Sequence, residues 1–214
     1  MLKDNIIFGD SNLSEIQEAV ELLNKGEIIG FPTETVYGIG GDIFNESAIN
    51  KIFEIKNRPV SLPLSAHLSS VADIEDVAFD VPDEFFILAD KFLPGPLAII
   101  LKKKKNIPDT VTSGLKTIGI RIPDNKIFEK LSEEFGKPLA ATSANISGKN
   151  SALTVEEVKN YFPVGISRVI DGGRCRYSQE STVISLVEFP PLLIREGVIR
   201  IGVLEDILKV KFRK

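Results

Sequence analysis

The sequence predicts an α+β fold, one domain over residues 1–214, with helices packed on a mixed sheet. Three observations lead there. Short apolar runs with the character of strands occur both in pairs and between amphipathic helices, a pattern that suits a mixed sheet better than a purely parallel one. A chain of 214 residues with 43% hydrophobic residues can bury a substantial core. No repeat, low-complexity segment or linker divides it.

The elements follow in order. Ser14-Glu15-Ile16-Gln17 has the form of a capping box. The helix it opens carries Ile16, Ala19, Val20 and Leu23 on one face and ends at Gly26. Residues 27–31 read as the first core strand, broken by Pro32. Hydroxyls and glycines follow in Thr33-Glu34-Thr35-Val36-Tyr37-Gly38 and a glycine-rich link. A strand end of that kind brings backbone N–H groups and Thr hydroxyls close to a ligand. A helix over 45–56 buries Ile49, Ile52 and Phe53, and Lys56 falls on the same stripe. There its charge needs a partner. Arg58 follows where Pro59 forbids further helix. A point charge beside a bidentate fork suits phosphates and carboxylates. A snorkelling Lys56 and an Arg58 that caps helix carbonyls are equally compatible with the pattern.

Residues 63–67 form a short strand whose His67 is a satisfied core histidine or a carboxylate ligand. Asp80 and Pro82 start a helix bearing Phe85, Phe86, Leu88, Ala89 and Phe92, stopped by the turn Leu93-Pro94-Gly95-Pro96. A buried strand over 97–101 runs into Lys102, Lys103, Lys104 and Lys105, a solvated loop or an RNA-touching patch. In the segment 117–123, Ile118, Ile120 and Ile122 take one face, so Thr117, Gly119 and Arg121 share the other. Gly119 leaves room there for a small anion, or Arg121 faces solvent. Asp124 opens a helix to Phe135-Gly136. The small-residue strand over 138–141 runs into Thr142-Ser143-Ala144-Asn145-Ile146-Ser147-Gly148, a loop rich in donors that cradles phosphate or ribose, or is a plain turn. Thr154-Val155-Glu156-Glu157 is a second capping box, opening a helix to Tyr161. Strands end at Asp171-Gly172-Gly173, begin at Ser181-Thr182-Val183, and recur at Leu192–Arg195 after Pro190-Pro191. Residues 207–212 close the fold.

Composition excludes several classes of function. With 26 basic and 30 acidic residues the net charge is -4, which argues against a broad nucleic-acid coat but not against a local basic cleft. A single cysteine, Cys175, excludes an intramolecular disulfide and a Cys-rich zinc site. The single histidine, His67, excludes a multi-histidine metal centre, and no metal-ligating residues are assigned. No nucleophile-elbow motif accompanies His67, so charge clamping and positioning are expected to carry any chemistry. The first residues lack a signal-type apolar region and no apolar run spans a bilayer, so a cytoplasmic protein without membrane contact is expected.

The motifs Pro32 to Gly38, Lys56-Asn57-Arg58-Pro59, Pro94-Gly95-Pro96-Leu97, Gly119 to Pro123, Thr142 to Gly148, Asp171-Gly172-Gly173, Ser181-Thr182-Val183 and Arg195-Glu196-Gly197 occur in this order. Together, from about Ser14 to Gly202, they resemble the YrdC family of threonylcarbamoyl-AMP synthases, in a short single-domain form. The resemblance implies a twisted, mostly antiparallel mixed sheet with a concave basic cavity. It implies the reaction of L-threonine, bicarbonate and ATP to threonylcarbamoyl-adenylate and pyrophosphate, the first step of threonylcarbamoyladenosine modification of tRNA. A separate threonylcarbamoyl transferase would complete that step. By similarity, Lys56 and Arg58 are the catalytic cations. Arg58, Leu62, Thr117, Ser143, Asn145, Ser151 and Arg195 would hold ATP with its Mg2+. Thr35, His67, Arg121, Ala141 and Ser181 would hold threonine. Leu62 departs from the family, offering only backbone where a polar residue is usual. Ser65, Ala66 and Ser185 depart as well. Two other readings remain: a double-stranded RNA or tRNA module without chemistry, and a carbamoyl-transfer paralogue of the kind used in hydrogenase maturation.

Overall fold

The computed structural model of the chain describes residues 10–213. In chain order the elements are α1 (Asp10–Asn24), β1 (Ile29–Phe31), β2 (Gly38–Asp42), α2 (Glu46–Ile55) and β3 (Ser65–His67). A 3-10 turn (Val71–Asp73) leads into α3 (Ile74–Val77), α4 (Asp83–Phe92), β4 (Leu97–Lys102), α5 (Asp109–Thr112), β5 (Thr117–Arg121) and α6 (Lys126–Phe135). There follow β6 (Leu139–Ser143), α7 (Val155–Tyr161), β7 (Arg168–Val169), β8 (Thr182–Ser185), β9 (Leu192–Arg195) and α8 (Ile201–Leu208). The nine strands form one sheet in the order β7-β1-β2-β6-β3-β5-β4-β8-β9. The pairs β1/β7, β3/β5 and β4/β8 are parallel and the other five are antiparallel. The expected mixed, mostly antiparallel sheet is therefore present.

Local chemistry places most element ends. Asn45 caps α2, its Oδ1 accepting from Ser47 N and Ala48 N at 3.1 and 3.2 Å. Asn125, not Asp124, caps α6, which ends at Gly136 in the left-handed region at φ 69°. The helix α1 is already formed at Asp10, so Ser14 lies inside it rather than opening it. At Thr154 only half of the capping box closes. Thr154 Oγ1 accepts from Glu157 N at 3.4 Å, while the Glu157 carboxylate accepts from Leu153 N at 2.7 Å.

Two elements depart from the sequence reading. The glycine-rich link after Tyr37 is the strand β2, fully buried between β1 and β6. Its glycines permit this. A Cβ at Gly38 would lie 2.5 Å from the Phe31 ring, and one at Gly40 2.8 Å from the Ala140 carbonyl oxygen. The helix α8, with Leu204 buried, precedes and takes in the first of the residues expected to close the fold, while Phe212 packs on the core and Arg213 bridges to Leu192.

The alternation of the strands divides the sheet into two faces. Ile39, Ala66, Ile99, Ile118, Ile120, Ala140 and Ile184 join one core with α2 and α4. On the opposite face α1 and α6 pack over Ile29, Phe31, Leu139 and Ala141. Those two helices do not reach the β5, β4 and β8 end of that face, and a cavity of about 630 Å3 opens there.

Candidate active site

The cavity floor is a row of paired strand residues. His67 pairs with Arg121, Arg121 with Ala98, Ala98 with Val183, and Val183 with Arg195. One row away Ala141, Ser65, Gly119 and Ile100 are neighbours in the same way. A Cβ on Gly119 would meet only Ser65 Cβ at 3.5 Å and Ile100 at 4.0 Å, so the glycine leaves open space. Of the residues singled out in the sequence, Lys56, Arg58, Leu62, His67, Thr117, Arg121, Ala141, Ser143, Asn145, Ser181 and Arg195 all line this cavity. Thr35 and Ser151 are not among the lining residues, and each instead holds one that is.

Arg121 is buried at one end of the row, so it does not face bulk solvent. Its Nη2 donates to Thr35 Oγ1 and, at 3.4 Å, to Thr33 Oγ1. The same nitrogen lies 3.1 Å from Glu34 Oε1. His67 sits beside it with its ring against Phe31 and Phe128. Burial, then repulsion from Arg121, pushes its pKa down to about 3, so the imidazole is neutral at physiological pH. The ring packs on a core aromatic cluster, as the core reading of His67 expects, and it also lines the cavity.

Lys56 is 1% exposed and does not snorkel. Its Nζ donates to Ser143 O at 2.5 Å, Asn145 O at 2.6 Å and Asn145 Oδ1 at 3.3 Å. An ammonium has three donors, and all are engaged. Burial, then the charge of Arg58, pushes its pKa down to about 7, a shift that Glu180 opposes. The three oxygen acceptors also favour the protonated form. Lys56 thus anchors the loop after β6, whose Ser147 N in turn donates to Lys56 O at 3.0 Å. Asn145 completes the brace. Its Oδ1 accepts from Ser143 Oγ at 2.6 Å, and its Nδ2 donates to Lys149 O at 2.7 Å.

Arg58 does not cap helix carbonyls. Asn57 ends the helical path in the left-handed region at φ 49°, and the Arg58 side chain turns to the following loop. Nε donates to Leu62 O at 3.0 Å and Nη2 to Pro63 O at 2.9 Å. Leu62 contributes through backbone, and what it binds is Arg58. At the far end of the row Arg195 Nη2 donates to Ser181 O at 2.9 Å, and Nη1 donates to the Glu180 carboxylate. Ser151 Oγ donates to the same carboxylate at 2.9 Å.

Several contributors were missed in the sequence. Glu34 and Glu180 were passed over as single acids, and only their burial or pairing marks them. Tyr37 donates to Gly173 O at 2.9 Å and accepts from Gly172 N at 3.0 Å, which explains Asp171-Gly172-Gly173. Thr182 Oγ1 donates to Ile199 O and accepts from Gly197 N and Ile199 N. A Cβ on Gly197 would overlap Glu180 O, which explains the glycine of Arg195-Glu196-Gly197. The four-lysine run is a solvated loop only at Lys104 and Lys105. Lys103 is buried, bonded to Ile107 O at 2.8 Å and Asp109 at 2.5 Å, while Lys102 pairs with Asp80. Burial pushes the Cys175 thiol up to about 11, so it is not a thiolate at neutral pH.

The model of the Sua5, YciO and YrdC family, described as telomere recombination, matches residues 21–197. The chain belongs to that family. It is 41% identical to the threonylcarbamoyl-AMP synthase of Pyrococcus abyssi over 194 residues, covering 91% of this chain and 57% of that protein. The chain therefore spans little more than half the length of that relative. A putative threonylcarbamoyl-AMP synthase of Methanocaldococcus jannaschii is 44% identical over 205 residues, covering 94% of this chain and 96% of its own. The crystal structure of Pyrococcus abyssi Sua5 complexed with L-threonine superposes with a TM-score of 0.90 at 41% identity. It covers 92% of this chain and 58% of that one. No helix among the described residues of this family member is long and apolar enough to cross a membrane.

Proposed function

We propose that the chain makes L-threonylcarbamoyladenylate from L-threonine, bicarbonate and ATP, releasing pyrophosphate. The observation that carries this reading is the row His67–Arg121–Ala98–Val183–Arg195, which sets two guanidinium groups on one cavity floor. The likeness to a threonine-bound relative supports it.

Arg121, oriented by Thr33 and Thr35, takes the threonine carboxylate, with Ala141, His67 and Ser181 around the rest of the ligand. The amine, its ammonium proton lost to solvent, attacks the bicarbonate carbon, and the bicarbonate hydroxyl leaves as water with a proton from that nitrogen, giving a carbamate. A carbamate oxygen then attacks the α-phosphorus, and pyrophosphate leaves. Two anions must meet, so cations and fixed dipoles lower the barrier. Arg58 keeps Nη1 free for phosphate while Leu62 O and Pro63 O fix its plane. Arg195 and the loop braced by Lys56 present donors to the nucleotide, with Thr117 and Ser143 on the lining and Ser151 behind Glu180. Lys56 acts by holding that loop and by its charge. Mg2+ brought with ATP would neutralise phosphate charge. Hard oxygens suit it, and Glu180 is the one carboxylate among the lining residues. Covalent catalysis is not needed. Hand-off to a threonylcarbamoyl transferase, weak tRNA contact and a cytoplasmic location belong to the same reading.

The test is release of pyrophosphate from ATP with L-threonine and bicarbonate each present or omitted. Turnover that needs both, and fails with Arg121→Ala, is expected. A folded chain that turns over ATP without threonine, or not at all, overturns the assignment.

A further inference from the structure

The chemistry above leaves one buried charge without a task. The Glu34 side chain is 1% exposed, and neither of its carboxylate oxygens receives a hydrogen bond. Arg121 Nη2 lies 3.1 Å away but is directed to the Thr33 and Thr35 hydroxyls, and Arg121 Nε has no acceptor. Charge rather than aligned hydrogen bonding therefore links the two residues. A buried carboxylate with unmatched oxygens is costly, which makes its presence informative. Of the other titratable groups around it, His67 and Cys175 are neutral at pH 7, and Arg176, within the field of Glu34, is exposed and paired with Asp124. The buried groups at the Arg121 end of the cavity are thus one positive and one negative.

We infer that Glu34 makes the Arg121 subsite selective for a zwitterionic α-amino acid over a plain carboxylate. This rests on the threonine reading of the site. A ligand carboxylate on Arg121 places two buried negative groups around one guanidinium. An ammonium on the same ligand restores neutrality. Unit charges about 6 Å apart at an effective dielectric of about 20 correspond to on the order of a hundredfold in affinity, and about tenfold is the least this predicts. Glu34 acts through Arg121 and through its field. It is a positioning residue that does not line the cavity.

The experiment is calorimetric binding of L-threonine and of 3-hydroxybutanoate, the same skeleton without the amine. The proteins are the wild-type chain, Glu34→Gln and Glu34→Asp. Wild type is expected to prefer threonine by about tenfold or more. Glu34→Gln should close that gap by about tenfold, chiefly by gaining affinity for 3-hydroxybutanoate. Glu34→Asp keeps the charge and should keep the preference, which a merely structural role would not require. A Gln variant with the wild-type ratio overturns the inference. So does a wild-type chain that binds both ligands equally, even if the Gln variant does not fold. A folded wild type that binds neither defeats the threonine reading itself. One that prefers threonine while Glu34→Gln changes nothing defeats only the role of Glu34.

Discussion

Replacing Lys56 with methionine keeps the aliphatic stem and removes the ammonium from a site that is 1% exposed. Two main-chain carbonyls, Ser143 O and Asn145 O, lose that donor, while Asn145 Oδ1 keeps its bond from Ser143 Oγ. Ser143 O still accepts from Asn145 N at 3.1 Å, so Asn145 O is the acceptor left unmatched, at a cost of about 1–3 kcal/mol. Against this stands the cost of burying the charge. A pKa pushed from 10.5 to about 7 corresponds to about 5 kcal/mol. The charge term is the larger, and overall stability in a urea titration should rise by about 2–4 kcal/mol. The local effect is not offset, because the loop after β6 loses its anchor. Nucleotide affinity measured by calorimetry should fall about tenfold or more, and pyrophosphate release should fall with it. A Lys56→Met chain with wild-type nucleotide affinity and turnover would refute the argument that this loop needs its ammonium brace.

Two further outcomes follow from the same geometry. His67 is the only histidine, so its C2 proton is identifiable in an NMR spectrum without further assignment. With its pKa lowered to about 3, that signal should not shift between pH 5 and 8, and a midpoint near 6.5 would contradict the burial argument. The folded state binds fewer protons than the unfolded state between pH 6.5 and 3. This contribution is therefore complete above pH 6.5 and is lost at about 1.4 kcal/mol per unit as pH falls. Gly119→Val adds methyls where only Ser65 and Ile100 are near, so it should leave the melting temperature within a few degrees yet abolish threonine binding. Unchanged binding would remove β5 from the cavity floor.

The two faces of β5 were legible because period-2 alternation is local. Ile118 and Ile120 enter the core, and Thr117, Gly119 and Arg121 line the cavity. The amphipathic stripe of α2 likewise carried Lys56 inward. The strand β2 was not legible, since Gly38-Ile39-Gly40-Gly41-Asp42 has poor strand propensity and is stabilised by neighbours far along the chain. Lys103 escaped notice for the same reason, because the two groups that bind its ammonium lie beyond a turn.

Sequence by itself determined most element types and which residues share a helix or strand face, since helix and strand periodicity depend on near neighbours. Only the tertiary structure decided what each charge meets. Lys56 finds a loop 87 residues away, Arg121 a carboxylate in the segment before β2, and Arg195 the carboxylate of Glu180. Electrostatic partnership depends on distance in space and on burial, and neither is encoded in spacing along the chain.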